Sequence, residues 1–153
     1  MRSIWVLAPC RFTLLSLALL WAAPGFATLG QDVSSIRDDQ AHLNASERVV
    51  TSQLYSVHEM KTPRGTIIRE YVSPAGTVFA VSWWGFPPDL RQLLGEHFNE
   101  FMAAASETAR RGRGFQIETD DLVVESGGHM RYSVGRALLR SQLPSGVSRD
   151  EIR

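Results

Sequence analysis

The side chains able to do acid–base or metal chemistry are few and scattered. Four histidines, His42, His58, His97 and His129, show no His-x-His or His-Glu-x-x-His spacing that would aim two imidazoles at one metal ion. No metal site and no cofactor is therefore expected. Ser126, His129 and the nearby Glu125 offer the residue types of a hydrolase, namely nucleophile, base and orienting acid. Gly-x-Ser-x-Gly is absent, however, and Ser126-Gly127-Gly128-His129 reads as a hairpin turn, because Gly-Gly is a strong two-residue loop. His58 with Glu70 suits either a proton-transfer couple or a plain cross-strand ion pair, and the ion pair is the simpler reading. His97 falls on an apolar helical stripe and reads as a boundary residue. A last group, Trp83, Trp84 and Phe86 in "SWWGFPPD", is a candidate binding surface. Successive strand residues point to opposite faces, so the two indoles cannot enter one core together. One of them is expected to be covered by another element or left exposed for a partner or a sugar.

These residues must be placed by the elements between them. "TPRGT" at Thr62–Thr66 and "SPAGT" at Ser73–Thr77 are two copies of one turn phrase. In both, Ser or Thr first, Pro second and Gly fourth suit a type I turn followed by a left-handed glycine. Setting Thr62 opposite Thr66 pairs Glu59 with Arg69, His58 with Glu70, Met60 with Ile68 and Val57 with Tyr71. Setting Ser73 opposite Thr77 pairs Val72 with Val78, Tyr71 with Phe79, Arg69 with Val81 and Ile67 with Trp83. Opposite charges and branched or aromatic partners coincide, each such pair contributing about 0.2–1 kcal/mol. A meander over roughly 53–61, 66–72 and 77–84 follows. Its last strand is apolar on both faces and therefore central.

A helix of about 20 residues is expected after Pro87-Pro88. Leu90, Leu93, Leu94, His97, Phe98, Phe101, Met102 and Ala105 form its apolar stripe, with Arg91, Gln92 and Glu96 on the opposite side. Arg110, Arg111 and Gly112 close it, which also explains the basic "RRGRG" tract without nucleic acid. Before the meander, Ser35 and Asp38 suit a capping box for a short helix over Ile36–His42, ending near Asn44. After the long helix come a hairpin of Asp121–Glu125 with Met130–Leu139, a turn at Leu143–Gly146, and the start of a last turn at Ser148–Glu151. The expected fold is α+β: about five antiparallel strands, in the order α-β-β-β-α-β-β, with one long amphipathic helix packed on a face.

At the N-terminus, Arg2 and Arg11, the mostly apolar run Phe12–Ala23 and the small residues before Thr28 read as a secretory signal peptide over residues 1–27. The run is shorter than the roughly 20 residues a membrane span needs, so no permanent anchor is expected. Cleavage would remove the only cysteine, Cys10, and leave residues 28–153 as one α+β domain with neither disulfide nor thiolate chemistry. The whole chain carries 16 basic and 16 acidic residues, so loss of Arg2 and Arg11 leaves a slightly acidic chain with no nucleic-acid partner indicated.

"REYVSPAGTVFAVSW", "PDLRQLLG", "DLVVESGGHMR" and "LPSGVSRDEIR" together resemble bacterial exported proteins of the domain-of-unknown-function 2844 family. The resemblance spans nearly all of residues 28–153 and implies a single exported domain of undefined activity, with no catalytic residues to carry over. It expects one tryptophan where this chain has Trp83-Trp84. The function expected is that of a periplasmic or secreted binding or accessory domain serving an envelope protein or polymer. The alternatives are a small hydrolase or lyase using His58 or His129 with Glu70 or Glu125, and an inhibitor-like module.

Overall fold

A computed structural model describes residues 29–108, 115–129 and 131–153. The expected signal peptide, Cys10 and the basic tract at 110–114 lie outside the described residues.

The described residues form one antiparallel sheet of seven strands, β1 (Ser46–Thr51), β2 (Ser56–Lys61), β3 (Ile67–Val72), β4 (Val78–Gly85), β5 (Phe115–Glu118), β6 (Leu122–His129) and β7 (Tyr132–Leu139), in the spatial order β1-β2-β3-β4-β7-β6-β5. The expectation of about five strands is corrected: both edges, β1 and β5, had no separate signal. β1 is divided from β2 by a turn without Gly or Pro, closed by Ser52, whose amide and hydroxyl both reach the Tyr55 carbonyl at 2.9 and 2.7 Å. β5 is only four residues long. The order along the chain is helix, four strands, a segmented helical stretch, then three strands, so the α-β-β-β-α-β-β order does not hold and the fold is mostly sheet.

The single long helix is also corrected. Asp89 caps α2 (Leu90–Leu94) by accepting from Arg91 N and Gln92 N, and Gly95, at φ 51° and ψ −123°, then interrupts the helix. A 3-10 turn over Gly95–His97 leads into α3 (Phe98–Thr108). The first helix, α1, spans Ser35–Leu43 and ends on Asn44 in the left-handed conformation. Ser35 is its first helical residue rather than its cap, and the Ser35 hydroxyl is buried without a partner.

Both repeated turns form as their sequences require. Thr62 N and Ser73 N each bond the carbonyl four residues on at 2.9 Å, and Gly65 and Gly76 take φ of 82° and 86°. All four expected pairs of the first hairpin are present. The second hairpin begins as expected with Val72 opposite Val78, but the register shifts by one residue there, and Tyr71 lies opposite Ala80. Phe79 is the extra residue of a β-bulge. Beyond it Arg69 pairs with Ser82 rather than Val81, and Ile67 with Trp84 rather than Trp83.

The two faces of the sheet carry separate cores. On one, Ile36 of α1, Leu93 and Leu94 of α2 and Phe101 of α3 pack with Met60, Ile68, Val81, Trp83, Val124 and Ala137. On the other, Tyr71, Phe79, Ala80, Val123 and Leu138 are covered by Val147 and Ile152 of the C-terminal segment, with Tyr55 completing an aromatic trio. That segment folds as a 3-10 turn over Arg149–Glu151 with a full capping box from Ser148 and Glu151.

Candidate functional site

The second face is only half covered, and the boundary is a row of polar side chains. Reading across the sheet, Arg48, Glu59, Arg69, Ser82, Arg136, Glu125 and Gln116 are successive partners on all seven strands. Arg69 Nε donates to Glu59 at 2.8 Å and Arg136 Nε to Glu125 at 2.9 Å. Where the row has only the short Ser82, the carbonyl oxygen of Arg153 fills the gap. It accepts from Ser82 Oγ, Arg69 Nη1 and Tyr71 Oη, each at 2.8 Å. Arg136 holds the same segment through the carbonyls of Arg149 and Ile152.

Beyond that row lies an uncovered strip formed by Ile67, Trp84, Val134 and Gly127, again successive partners. Trp84 is 48% exposed and Val134 is 43% exposed. The indole of Trp84 meets Tyr132 edge-on at 5.1 Å, and the His129 ring stacks on Tyr132 at 6.0 Å. Trp84, Val134 and Gly127, together with Arg69, Glu125 and Arg136, bound a groove of about 670 Å³. Its walls are apolar and aromatic, with charged and amide groups along one rim, which is the usual composition of a small-ligand site. An alanine Cβ at Gly127 would meet nothing within 4 Å, so the missing side chain there leaves the groove open.

The three aromatic residues singled out in the sequence are therefore separated. Trp83 is in the core, 2% exposed, with Nε1 donating to Ser133 Oγ at 3.0 Å. Trp84 walls the groove. Phe86 is exposed outside it, under the Arg64 guanidinium at 4.9 Å from the ring centroid.

The histidine–carboxylate sets do not assemble. His58 lies opposite Glu70 in register, yet its Nδ1 bonds Glu47 of β1 at 2.7 Å, so the expected His58–Glu70 ion pair is replaced. Ser126-Gly127-Gly128-His129 is strand rather than turn: β6 runs through to His129, which pairs with Tyr132. Alternation then sends Ser126 to the face opposite Glu125 and His129. The Ser126 hydroxyl rests on the Val134 carbonyl, and Glu125 is held by Arg136. His97 sits beside Glu96 and Glu100 at the helical break, as a boundary residue. Among the described residues no group of three or more His, Cys, Asp or Glu side chains is placed to hold a metal ion, and no helix is long and apolar enough to cross a membrane.

A family model described as "Protein of unknown function (DUF2844)" matches residues 25–152. The chain belongs to that family. No curated protein and no solved structure matches it. For this DUF2844 member the geometry of the chain is accordingly the ground for any functional reading.

Sequence reasoning missed a second feature, the buried carboxyl pair of Asp39 on α1 and Glu70 on β3, 1% and 0% exposed. Gln92 of α2, expected on the exposed side of the helix, is buried and donates to Asp39 Oδ1 at 2.6 Å. Burial, then the charge of Asp39, holds the Glu70 carboxyl well above the ordinary range. Burial raises Asp39 too, partly offset by the Gln92 bond. The only sequence signal was weak: Asp39 follows Ile36 by three positions and shares its buried face.

Proposed function

We propose that this chain is an exported binding or accessory protein of the cell envelope, periplasmic or secreted, which holds a sugar-containing envelope polymer in the Trp84 groove. One observation carries the reading: a half-exposed indole, braced edge-on by Tyr132, walls a groove of about 670 Å³ that has charged groups along its other rim. A sugar ring offers an apolar C–H face to such an indole and hydroxyls to neighbouring carboxylate, amide and guanidinium groups. The leader pattern of residues 1–27 supports export to the compartment where such polymers occur. The rival hydrolase reading needs His58 or His129 beside Glu70 or Glu125 in a concavity; His58 bonds Glu47 instead, Glu125 is held by Arg136, and the small concavity that His129 lines holds no carboxylate.

The test is binding of purified protein to isolated cell-envelope polysaccharide and peptidoglycan fragments, measured by co-sedimentation and calorimetry. Wild type is expected to bind, and Trp84→Ala to lose at least tenfold in affinity with an unchanged melting temperature. Equal binding by Trp84→Ala, or binding by neither protein, would overturn the proposal.

A further inference from the structure

Asp39 and Glu70 approach each other from two different elements, at the place where α1 and α2 meet the sheet. Asp39 Oδ2 and both Glu70 oxygens are buried and receive no N–H or O–H donor. Gln92 Nε2 donates to the other oxygen of Asp39, Oδ1. Among the described residues no arginine or lysine acts on the pair. From α1 come Asp38 and His42, and β1 supplies Glu47, already bonded to His58 of β2. β4 presents only Val81 opposite Glu70. Two ionised carboxylates in such a place would repel each other without screening by water, so the arrangement requires at least one proton between them.

We propose that Asp39 and Glu70 share a proton and form a latch that keeps α1 docked on the sheet, released as pH rises. α1 carries Ile36 into the core and leads directly through Asn44 and Ala45 into edge strand β1. Release of α1 therefore frees the chain feeding that edge and uncovers apolar surface at Ile36 and Met60. Acidification holds the element closed. The Trp84 groove lies on the opposite face, so the latch operates independently of ligand binding there.

Opening exposes both carboxyls to water, where they ionise near their ordinary pKa of about 4. One proton leaves for each opening, so the opening constant rises up to tenfold per pH unit between that value and the raised folded value. The measurement is hydrogen–deuterium exchange of the full chain from pH 5 to pH 9, with intrinsic exchange rates divided out. Protection of amides in α1 is expected to fall by up to tenfold per unit, while protection in β4 and β7 falls less. Glu70→Gln, and separately Asp39→Asn, should flatten that dependence. Two variants are used because either one alone is at risk of misfolding. A wild-type α1 whose protection is independent of pH would overturn the proposal. So would restoration of its protection at pH 9 by millimolar calcium or magnesium, which would mark the unpartnered oxygens as a cation site instead.

Discussion

The indole of Trp83 lies against Gly135, its cross-strand partner on β7, so closely that a Cβ at 135 would fall inside the ring's van der Waals envelope and 2.6 Å from the Glu125 carbonyl oxygen. Glycine is needed here for close approach. Gly135→Ala must displace the largest buried side chain of the helix-bearing core or bend two strands, which costs about 3 kcal/mol. At this chain length that corresponds to a loss of roughly 10 °C in Tm. Gly127→Ala, one strand over with open space above it, should leave Tm within about 3 °C. Thermal denaturation of the two variants side by side checks the contrast.

The raised carboxyls of Asp39 and Glu70 give global stability a definite sign with pH. Because the folded chain holds protons that the unfolded chain releases above about pH 4, their contribution is fully present below that value. It is lost as pH rises through the folded pKa. Asp32 and Glu118, held low by bonds from Ser34 and Gln116, act in the opposite direction, but both lie in solvent and weigh little. Urea midpoints are therefore expected to be higher at pH 5 than at pH 8. Glu70→Gln should reverse or abolish that order, whereas Glu59→Gln on the polar row should preserve it.

Much of this architecture was legible in the sequence where local chemistry dictates geometry. The proline–glycine turn at Thr62–Thr66 set the β2–β3 pairing, the one at Ser73–Thr77 set only the first β3–β4 pair, and the apolar run Val78–Trp83 announced a central strand. What escaped were features without a local cause. The Phe79 bulge leaves the turn intact and acts only beyond it, so register reasoning that starts at Ser73–Thr77 runs one residue out of step. Gln92 and Asp39 are polar residues on helices, and periodicity assigns such residues to solvent, while the structure pairs them with each other. The groove was half visible: tandem tryptophans require that one indole leave the core, to be covered by another element or exposed, but the neighbours Tyr132, Val134 and Gly127 come from a hairpin that runs past Gly127-Gly128 instead of turning there.

The polar row should behave as an anchor for the C-terminal segment more than as a set of ion pairs. Arg69 and Glu59 are each about one-third exposed, and a double-mutant cycle on them is expected to give a coupling near 0.5 kcal/mol. Ser82 is buried and its hydroxyl is one of three donors to the Arg153 carbonyl, so Ser82→Ala should cost about 1 kcal/mol. Its signature is local. Amide protection around Ile152 should fall while that of β2 and β3 stays unchanged, and a uniform loss across the sheet would mean that Ser82 matters for strand packing instead.

The bulge at Phe79 decides which of two adjacent tryptophans faces solvent. Without it, the straight register pairs Trp83 with Ile67 on the uncovered face and sends Trp84 into the helix-bearing core. With it, Trp83 lies opposite Ile68 in the core and Trp84 lies opposite Ile67 on the other face, where its indole walls the groove. Residues 28–153 contain only these two indoles, so single-tryptophan proteins are simple to make. Iodide is expected to quench Trp83→Phe, which keeps Trp84, several-fold more strongly than Trp84→Phe, which keeps the buried indole. Sugar-polymer binding should then shield the indole of Trp83→Phe from iodide and leave the emission of Trp84→Phe unmoved. The opposite order of quenching would place the register one residue away and remove the bulge.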